Sequence, residues 1–216
     1  MVTPKKRFIL WDHDGVLVDT ERWYFAALRA AMQPLGVDFD QATYLEFMAD
    51  GRMYWELALA RGATMADVER QRGVRNRLYQ EYLQREAIEI PGVGETLEEL
   101  SAQHRMAVVT TSRREDFDLI HRSRDLLRRM EFVLTIEDYA EAKPHPAPYL
   151  AALERFGASP AEAVAVEDSE RGLKSAIAAG LDCIIVRHPF TAAQNFSGAC
   201  RIVESIRDVP AAVTAG

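Results

Sequence analysis

The chain carries two different hydrophobic periodicities. Between residues 20 and 86, apolar side chains recur every three or four positions, the spacing that places them on one face of a helix. Beyond the break at Ile90, Pro91 and Gly92, short apolar runs of strand length alternate with amphipathic stretches of helix length. The pattern therefore predicts a wholly helical segment followed by a segment of alternating strands and helices.

The helical segment contains start and stop signals. Its first apolar series ends before Gly36, a residue typical of helix C-caps, so we predict that the first helix stops there. Thr64 is followed three residues later by Asp67, which predicts a capping box at the start of a longer helix that runs towards Glu86. Two shorter helical runs lie between these helices.

The apolar runs outside the helical segment predict the strands of a sheet. The predicted strands are residues 8–11, 107–110, 132–135, 164–166, 183–186 and 201–203. The predicted helices between them are residues 95–103, 115–129, 148–156 and 170–179. Alternating strands and helices are typical of a doubly wound parallel sheet with right-handed crossovers, so the predicted fold class is α/β.

The order of these segments predicts two domains. The helical segment begins just after the first strand, and the chain returns to the sheet near Pro91. We therefore predict an α/β core made of residues 1–16 and 91–216. A small all-helical cap domain, residues 17–90, is inserted into it.

Composition narrows the range of partners. The 216 residues are 48% hydrophobic and 27% charged, as in an ordinary soluble globular protein. The net charge of -7 argues against a nucleic acid or an anionic membrane surface as partner. No apolar run approaches the roughly 18 residues of a membrane span, and two cysteines suggest no disulfide framework. We expect a cytoplasmic protein.

Two carboxylates directly follow the first predicted strand. Asp12 and Asp14 would lie on the same side of the strand, at the edge where open parallel sheets bind ligands. Gly15 would let the backbone turn or approach a ligand closely. Like charges at this spacing repel unless a cation or a shared proton lies between them. On its own, the same sequence also fits a simple turn at a strand end.

Other predicted strand ends and loops add polar groups to the same edge. Hydroxyls after the second strand are good donors to phosphate oxygens, although such residues also cap helices. A lysine lies in a proline-rich turn, in a chain where only four of the 26 Lys and Arg residues are lysines. An acidic pair ends the fourth strand. These further candidates are Thr110, Thr111, Ser112, Lys143, Glu167 and Asp168.

Taken together, these residues resemble the four ordered motifs of the haloacid dehalogenase superfamily. The resemblance covers nearly the whole chain and includes the helical cap after the first motif, as in enzymes similar to phosphoglycolate phosphatase and β-phosphoglucomutase. It implies a phosphatase that acts on a small phosphorylated metabolite, such as a sugar phosphate or a phosphoglycolate-like compound. It also implies a monomer or homodimer and an aspartyl-phosphate intermediate.

The resemblance implies roles for the four carboxylates. Asp12 would be the nucleophile, and the Asp14 side chain would protonate the leaving alcohol and then activate water. Asp12, the Asp14 carbonyl and Asp168 would bind Mg²⁺, with Glu167 orienting the metal or its waters. Charge supports a metal, because these groups bring about -4 and a phosphomonoester about -2. Oxygen ligands favour Mg²⁺, and the excess acid predicts a raised pKa for Asp14.

The resemblance also assigns the substrate-binding groups. Thr110 and Lys143 would hold the phosphoryl oxygens, helped by the backbone amide of Thr111. Ser112 and Gly15 would complete the phosphate-binding surface. In the cap, Arg52 follows a glycine between two helical runs, so we predict that it contacts the far end of the substrate; the alternative is that it only pairs with a surface acid such as Asp50. Other polar or aromatic cap residues able to do so are Arg22, Trp55, Arg75 and Asn76.

One departure from the family pattern and two alternative functions remain to be considered. His13 stands between the two aspartates, where the family usually has an apolar residue. On a strand it would face away from them, so we favour a packing or supporting role over a contact with the substrate. A β-phosphoglucomutase-like sugar phosphomutase is the main alternative activity. Such mutases use a cap lysine and a histidine in the first cap helix, whereas this cap contains no lysine and has Tyr24 there. A phospho-accepting receiver module would place its Lys-Pro pair after the last strand, not before Glu167.

Overall fold

A parallel β-sheet lies at the centre of the computed structural model, which describes residues 6–122 and 124–214. Its strands are β1 (Phe8–Trp11), β2 (Arg105–Val109), β3 (Phe132–Leu134), β4 (Ala163–Glu167), β5 (Asp182–Val186) and β6 (Arg201–Val203). Within the described residues the sheet has six strands in the order β3-β2-β1-β4-β5-β6, and every neighbouring pair is parallel. The predicted doubly wound α/β fold is confirmed.

The strand order places a topological switch point at β1. From β1 the sheet extends to β2 on one side and to β4 on the other, with Phe8 level with Arg105 and with Ala163. Ligands of open parallel sheets bind beyond the carboxyl ends of the strands at such a point. The residues that follow β1, β2 and β4 are therefore brought to one place.

Helices cover both faces of the sheet and build the cap. They are α1 (Glu21–Met32), α2 (Gln41–Ala49), α3 (Glu56–Leu59), α4 (Met65–Arg85), α5 (Val93–Ser101), α6 (Arg114–His121), α7 (Ala147–Phe156), α8 (Glu170–Ala178) and α9 (Val209–Thr214). Alternation along β1 sends Phe8 and Leu10 into one apolar core and Ile9 and Trp11 into the other. None of the helices in the described part of the chain has both the length and the apolar character that a membrane crossing requires.

The cap helices, α1–α4, have an apolar core of their own. Leu28, Tyr44, Met48 and Trp55 are among the side chains buried there. Two short segments join these helices to the sheet. They contact each other where Val18, in the first segment, pairs with Glu89, in the second; Val18 also pairs with Asp14 in its own segment. The cap is thus a separately packed unit that is joined to the α/β core by two adjacent segments.

Most predicted element boundaries lie within two residues of the observed ones. The capping box of Thr64 and Asp67 is present at the start of α4, and Gly36, with a left-handed φ of 71°, ends the short turn that follows α1. The helix predicted over 115–129 is wrong: α6 ends at His121, and a separate 3-10 turn covers Leu126–Arg129. Residues 122–125 offer no apolar side chain to bury on a continuing helix face.

The predicted domain bounds, 1–16 with 91–216 for the core and 17–90 for the cap, stay a prediction. Their outermost positions, 1–5 and 215–216, and residue 123 lie outside the described residues.

Candidate active site

Backbone pairing fixes the polar residues at the carboxyl edge of the sheet. Asp12 follows β1, and its N–H donates to the Val166 carbonyl at 2.9 Å. Thr110 follows β2, and its N–H donates to the Leu134 carbonyl at 3.0 Å. Glu167 is the last residue of β4. The sheet ladder thereby brings residues distant in sequence to the same edge.

Lys143 lies at the centre of this edge. Its Nζ donates to Asp12 Oδ1 at 2.6 Å, to Glu167 Oε1 at 2.7 Å and to the Val109 carbonyl at 2.8 Å. The side chain is buried, yet the pKa of Lys143 lies above its usual range, because the two carboxylates outweigh the effect of burial. All three ammonium hydrogens have acceptors.

Three buried carboxylates form a cluster with the geometry of a cation site. One oxygen from each of Asp12, Glu167 and Asp168 can lie within 4.8 Å of the others. Burial and the charge of Glu167 outweigh Lys143 and raise the pKa of Asp12 to about 7. Burial and the charges of Asp12 and Glu167 raise the pKa of Asp168 well above its usual range. An all-oxygen, negatively charged site of this kind fits Mg²⁺.

The backbone approaches this cluster closely at one glycine. Gly15 has a left-handed φ of 84°, and a Cβ there would overlap the carboxylate of Asp168. Any other residue would displace a candidate metal ligand. The glycine of the first motif is therefore required both for its conformation and for its lack of a side chain.

Two residues that sequence reasoning missed hold the acidic pair. The Tyr149 hydroxyl donates to Glu167 Oε1 at 2.6 Å, and the Thr191 hydroxyl donates to Asp168 Oδ2 at 3.2 Å. Tyr149 had the appearance of a periodic core residue of α7, and Thr191 lies in the loop after β5. Nothing in the local sequence of either residue indicated the contact.

Asp14 lies in a different environment from the acidic cluster. Its carboxylate accepts from the Thr20 hydroxyl, from Ser112 Oγ at 2.5 Å and from Thr110 Oγ1 at 3.3 Å. Burial raises its pKa, but the charge and hydrogen bond of His13, with the hydroxyls of Ser112 and Thr20, lower it below its usual range. The raised pKa that we expected is therefore wrong for this structure. Donors, not carboxylates, surround Asp14.

His13 does not face away from the aspartates as predicted. Its Nδ1 lies 3.3 Å from Asp14 Oδ2, and its ring packs against Phe117 with centroids 4.7 Å apart. The strand alternation assumed for His13 fails because β1 ends at Trp11 and a tight turn follows. The N–H groups of three successive residues, 16–18, all donate to the His13 carbonyl.

A cavity of about 290 Å³ lies between the cap helices and this edge of the sheet. Three arginines line it: Arg113 is paired with Asp116, whereas Arg75 and Arg171 have no carboxylate partner among the described residues. Arg75 donates to the Tyr24 hydroxyl and to Asn76. Arg171 donates to Thr111 Oγ1 at 3.1 Å, while its Nε is buried without a partner. Such cations suit an anionic or polyhydroxylated ligand.

An acidic residue of the cap also lines the cavity. Glu21 accepts a hydrogen bond from the Tyr44 hydroxyl, and burial raises its pKa. Sequence reasoning missed both Glu21 and Arg171. Arg171 could have been found from its place in the first turn of the helix after the fourth motif, because that turn lies at the carboxyl edge of the sheet.

Arg52 is not among the residues that line this cavity, contrary to our expectation. Its guanidinium lies 3.9 Å from the Phe47 ring centroid and 3.7 Å from Glu56, with 46% of the side chain exposed. The aromatic face and the neighbouring carboxylate hold it at the surface. The predicted residues of the four motifs lie together at the sheet edge: Asp12, Asp14, Gly15, Thr110, Thr111, Ser112, Lys143, Glu167 and Asp168.

Comparison with known proteins gives a family match over most of the chain. The model of the haloacid dehalogenase-like hydrolases matches residues 9–186. Protein CbbY of Cupriavidus necator is 29% identical, over 93% of this chain and 85% of the relative. A phosphorylated carbohydrates phosphatase of Thermotoga maritima is 29% identical, over 82% of each protein.

Solved structures show the same fold. The crystal structure of a mutant CbbY from Rhodobacter sphaeroides, in complex with xylulose 1,5-bisphosphate, aligns with a TM-score of 0.79. Sequence identity is 26%, and the alignment covers 94% of this chain and 96% of that one.

Proposed function

This chain belongs to the haloacid dehalogenase-like hydrolases, and we propose that it is a Mg²⁺-dependent phosphatase acting on a phosphorylated sugar through an aspartyl phosphate on Asp12. The observation that supports this most is the placement of Lys143. A buried ammonium lies 2.6 Å from the Asp12 carboxylate, where it can hold a phosphoryl oxygen beside the nucleophile.

The acidic cluster fits a resident Mg²⁺ ion. Asp12, Asp168 and the Asp14 carbonyl would hold it, with Glu167 orienting its surroundings. The raised pKa values of Asp12 and Asp168 support this assignment, because they reflect buried negative charge that a divalent cation would neutralise. When bound, the ion supplies positive charge that offsets the anionic substrate and the charge developing in the transition state.

In the first step a carboxylate oxygen of Asp12 attacks phosphorus, and the bond from phosphorus to the ester oxygen breaks. The Asp14 side chain donates its proton to the departing oxygen. Thr110, the Thr111 amide and Lys143 hold the phosphoryl oxygens. An enzyme of this type gains most of its rate from such positioning and charge neutralisation.

In the second step Asp14 takes a proton from water, the water oxygen attacks phosphorus, and the bond to Asp12 breaks. Asp14 must carry a proton at the start of the cycle, although its hydrogen bonds to Thr20 and Ser112 favour the ionised form. The negative charge of a bound phosphate raises the pKa of Asp14, so substrate binding prepares the acid.

The cavity supports a sugar phosphate as substrate. Arg75 and Arg171 offer charge-assisted hydrogen bonds to oxygens of the substrate beyond the reacting phosphate, and the buried Glu21 can accept from a sugar hydroxyl. Two relatives support the same class by name: a phosphatase of phosphorylated carbohydrates, and a protein solved with a sugar bisphosphate. Mutase activity lacks this support, because Tyr24 and a lysine-free cap replace the residues that it uses.

Hydrolysis of 4-nitrophenyl phosphate and of a panel of sugar phosphates tests the proposal. Turnover should disappear in EDTA and return with Mg²⁺, and inorganic phosphate should be the product. Asp12→Asn should be inactive, because an amide neither attacks phosphorus nor carries the charge that holds the metal. Full activity in the chelator, or an isomerised sugar phosphate without free phosphate, would contradict the proposal.

A further inference from the structure

A buried pair of histidines lies directly behind Asp14. His13 Nδ1 is 3.3 Å from Asp14 Oδ2, and His13 Nε2 is 2.8 Å from His121 Nε2. His13 is fully buried, and His121, the last residue of α6, is 9% exposed. The Phe117 ring packs against both imidazoles, at 4.7 and 4.5 Å between centroids. The three polar side chains form one hydrogen-bonded series.

Both ring nitrogens of His13 have a hydrogen-bond partner in this series, and the partners determine which nitrogen carries the hydrogen. Asp14 is ionised when it takes a proton from water, and an ionised carboxylate only accepts hydrogen bonds, so His13 Nδ1 carries a hydrogen that points at Asp14. His121 occupies the other ring nitrogen, and the second nitrogen of His121 has no partner among the described residues. Among the described residues, His13 is therefore the only hydrogen-bond partner of the His121 ring.

A packing role would not explain why the buried ring of His13 has polar nitrogens that both form hydrogen bonds. Burying an imidazole costs free energy unless its polar atoms find partners, and an apolar side chain would fill the same space without that cost. The family pattern has an apolar residue at this position. The hydroxyls of Thr20 and Ser112 also contact Asp14, but both can rotate, whereas the His13 ring is locked by Phe117 and His121.

We propose that His13, held by His121, is a positioning residue that sets the orientation of the Asp14 carboxylate for proton transfer. The inference rests on the proposed function, because it takes Asp14 as the group that protonates the leaving oxygen. Its consequence is specific to the leaving group. An alkoxide leaving from a sugar phosphate needs the proton, whereas 4-nitrophenolate hardly does.

Two nearly isosteric variants separate the hydrogen bond from the packing. With a sugar phosphate, His13→Leu should lower kcat/KM by about tenfold, while kcat/KM for 4-nitrophenyl phosphate stays within about twofold. His13→Asn keeps a donor near the Nδ1 position and should restore most of the loss. The ratio of kcat/KM for the sugar phosphate to kcat/KM for 4-nitrophenyl phosphate summarises the effect. His121→Leu should lower this ratio to a smaller extent than His13→Leu does. His104→Leu is the control. It removes a histidine that is as exposed as His121 but hydrogen-bonds to the Leu100 carbonyl, and it should leave the ratio unchanged.

Equal losses on both esters, or wild-type values for His13→Leu, would overturn the positioning role. If His13→Leu does not fold, an unchanged ratio in His121→Leu overturns it as well. Asp14→Asn separates this inference from the proposed function. If Asp14→Asn shows the leaving-group difference and His13→Leu does not, only the positioning role fails. If Asp14→Asn shows no difference, or the wild type hydrolyses neither ester, both proposals fail.

Discussion

Lys143 shows why one residue type suits its position in this site. Its ammonium fits between Asp12, Glu167 and the Val109 carbonyl, three acceptors within 2.8 Å of one atom. A planar guanidinium spreads its donors over a wider fork and could not satisfy the same three acceptors. The preference for lysine here, in a chain that otherwise favours arginine, thus follows from the geometry of the cluster.

Arg171 and Arg52 make a matched pair for testing how the substrate is recognised. Arg171→Met should raise KM for the best sugar phosphate by about tenfold, because a lost charge-assisted hydrogen bond costs about 1.5–3 kcal/mol. Arg52→Met should leave KM unchanged, since that guanidinium lies over Phe47 outside the cavity. Steady-state kinetics on both variants measure the difference, and a raised KM for Arg52→Met alone would reverse the assignment.

At the scale of elements, the cap meets the core at a glycine. Gly51, at the end of α2, has a left-handed φ of 66°, and a Cβ there would lie 2.7 Å from Pro144 Cδ. Pro144 follows the lysine of the site, so a side chain at position 51 would push the cap helices away from Lys143. Gly62, also in the cap, has a φ of 91° with no atom within 4 Å of such a Cβ.

Gly51→Ala should therefore impair catalysis where Gly62→Ala does not. Both substitutions place alanine in a left-handed conformation, at a similar cost of about 1–2 kcal/mol. Only Gly51→Ala also displaces the cap from Pro144, and it should lower kcat/KM on the order of tenfold. Melting temperatures measure the loss of stability in each variant, and kcat/KM is compared at a temperature where both variants are folded. Equal kcat/KM values there would show that a side chain at position 51 does not displace the cap.

The strands and the motif residues could be predicted because their signals are local. Apolar runs that end in acids or hydroxyls identify β1, β2 and β4, and parallel pairing then places Asp12 and Glu167 at one edge. The role of Tyr149 could not be predicted, since it depends on which face of α7 meets the site. His13 was misplaced because strand alternation was extended beyond Trp11, into a turn whose geometry no periodicity encodes.

At the scale of the whole molecule, the buried carboxylates link stability to pH and metal. The folded pKa of Asp12, about 7, lies above its ordinary value of 3.8. Between these values the folded state retains a proton that the unfolded chain releases, so the metal-free protein should lose stability as pH rises from 4 to 7. The raised pKa of Asp168 acts in the same direction.

Mg²⁺ should therefore stabilise the protein more at pH 8 than at pH 5, where protons compete for the same oxygens. At a hundred times its dissociation constant, the ion should add about 2.7 kcal/mol, or about 5–10 °C in melting temperature. Thermal unfolding with MgCl₂, against NaCl of equal ionic strength, measures the shift. Asp168→Asn should reduce it, and an equal shift in that variant would place the ion elsewhere.

In the proposed mechanism Asp12 is the covalent carrier of the phosphoryl group, and Asp14 is the base that releases it. Asp14→Asn with 4-nitrophenyl phosphate isolates these steps, because the first step hardly needs the acid and the second needs the base. Rapid mixing with Mg²⁺ should release one equivalent of nitrophenol in a burst, followed by slow turnover. Mass spectrometry after an acid quench should find one phosphoryl group on the peptide that contains Asp12. Turnover without a burst and without a phosphorylated Asp12 peptide would contradict the account.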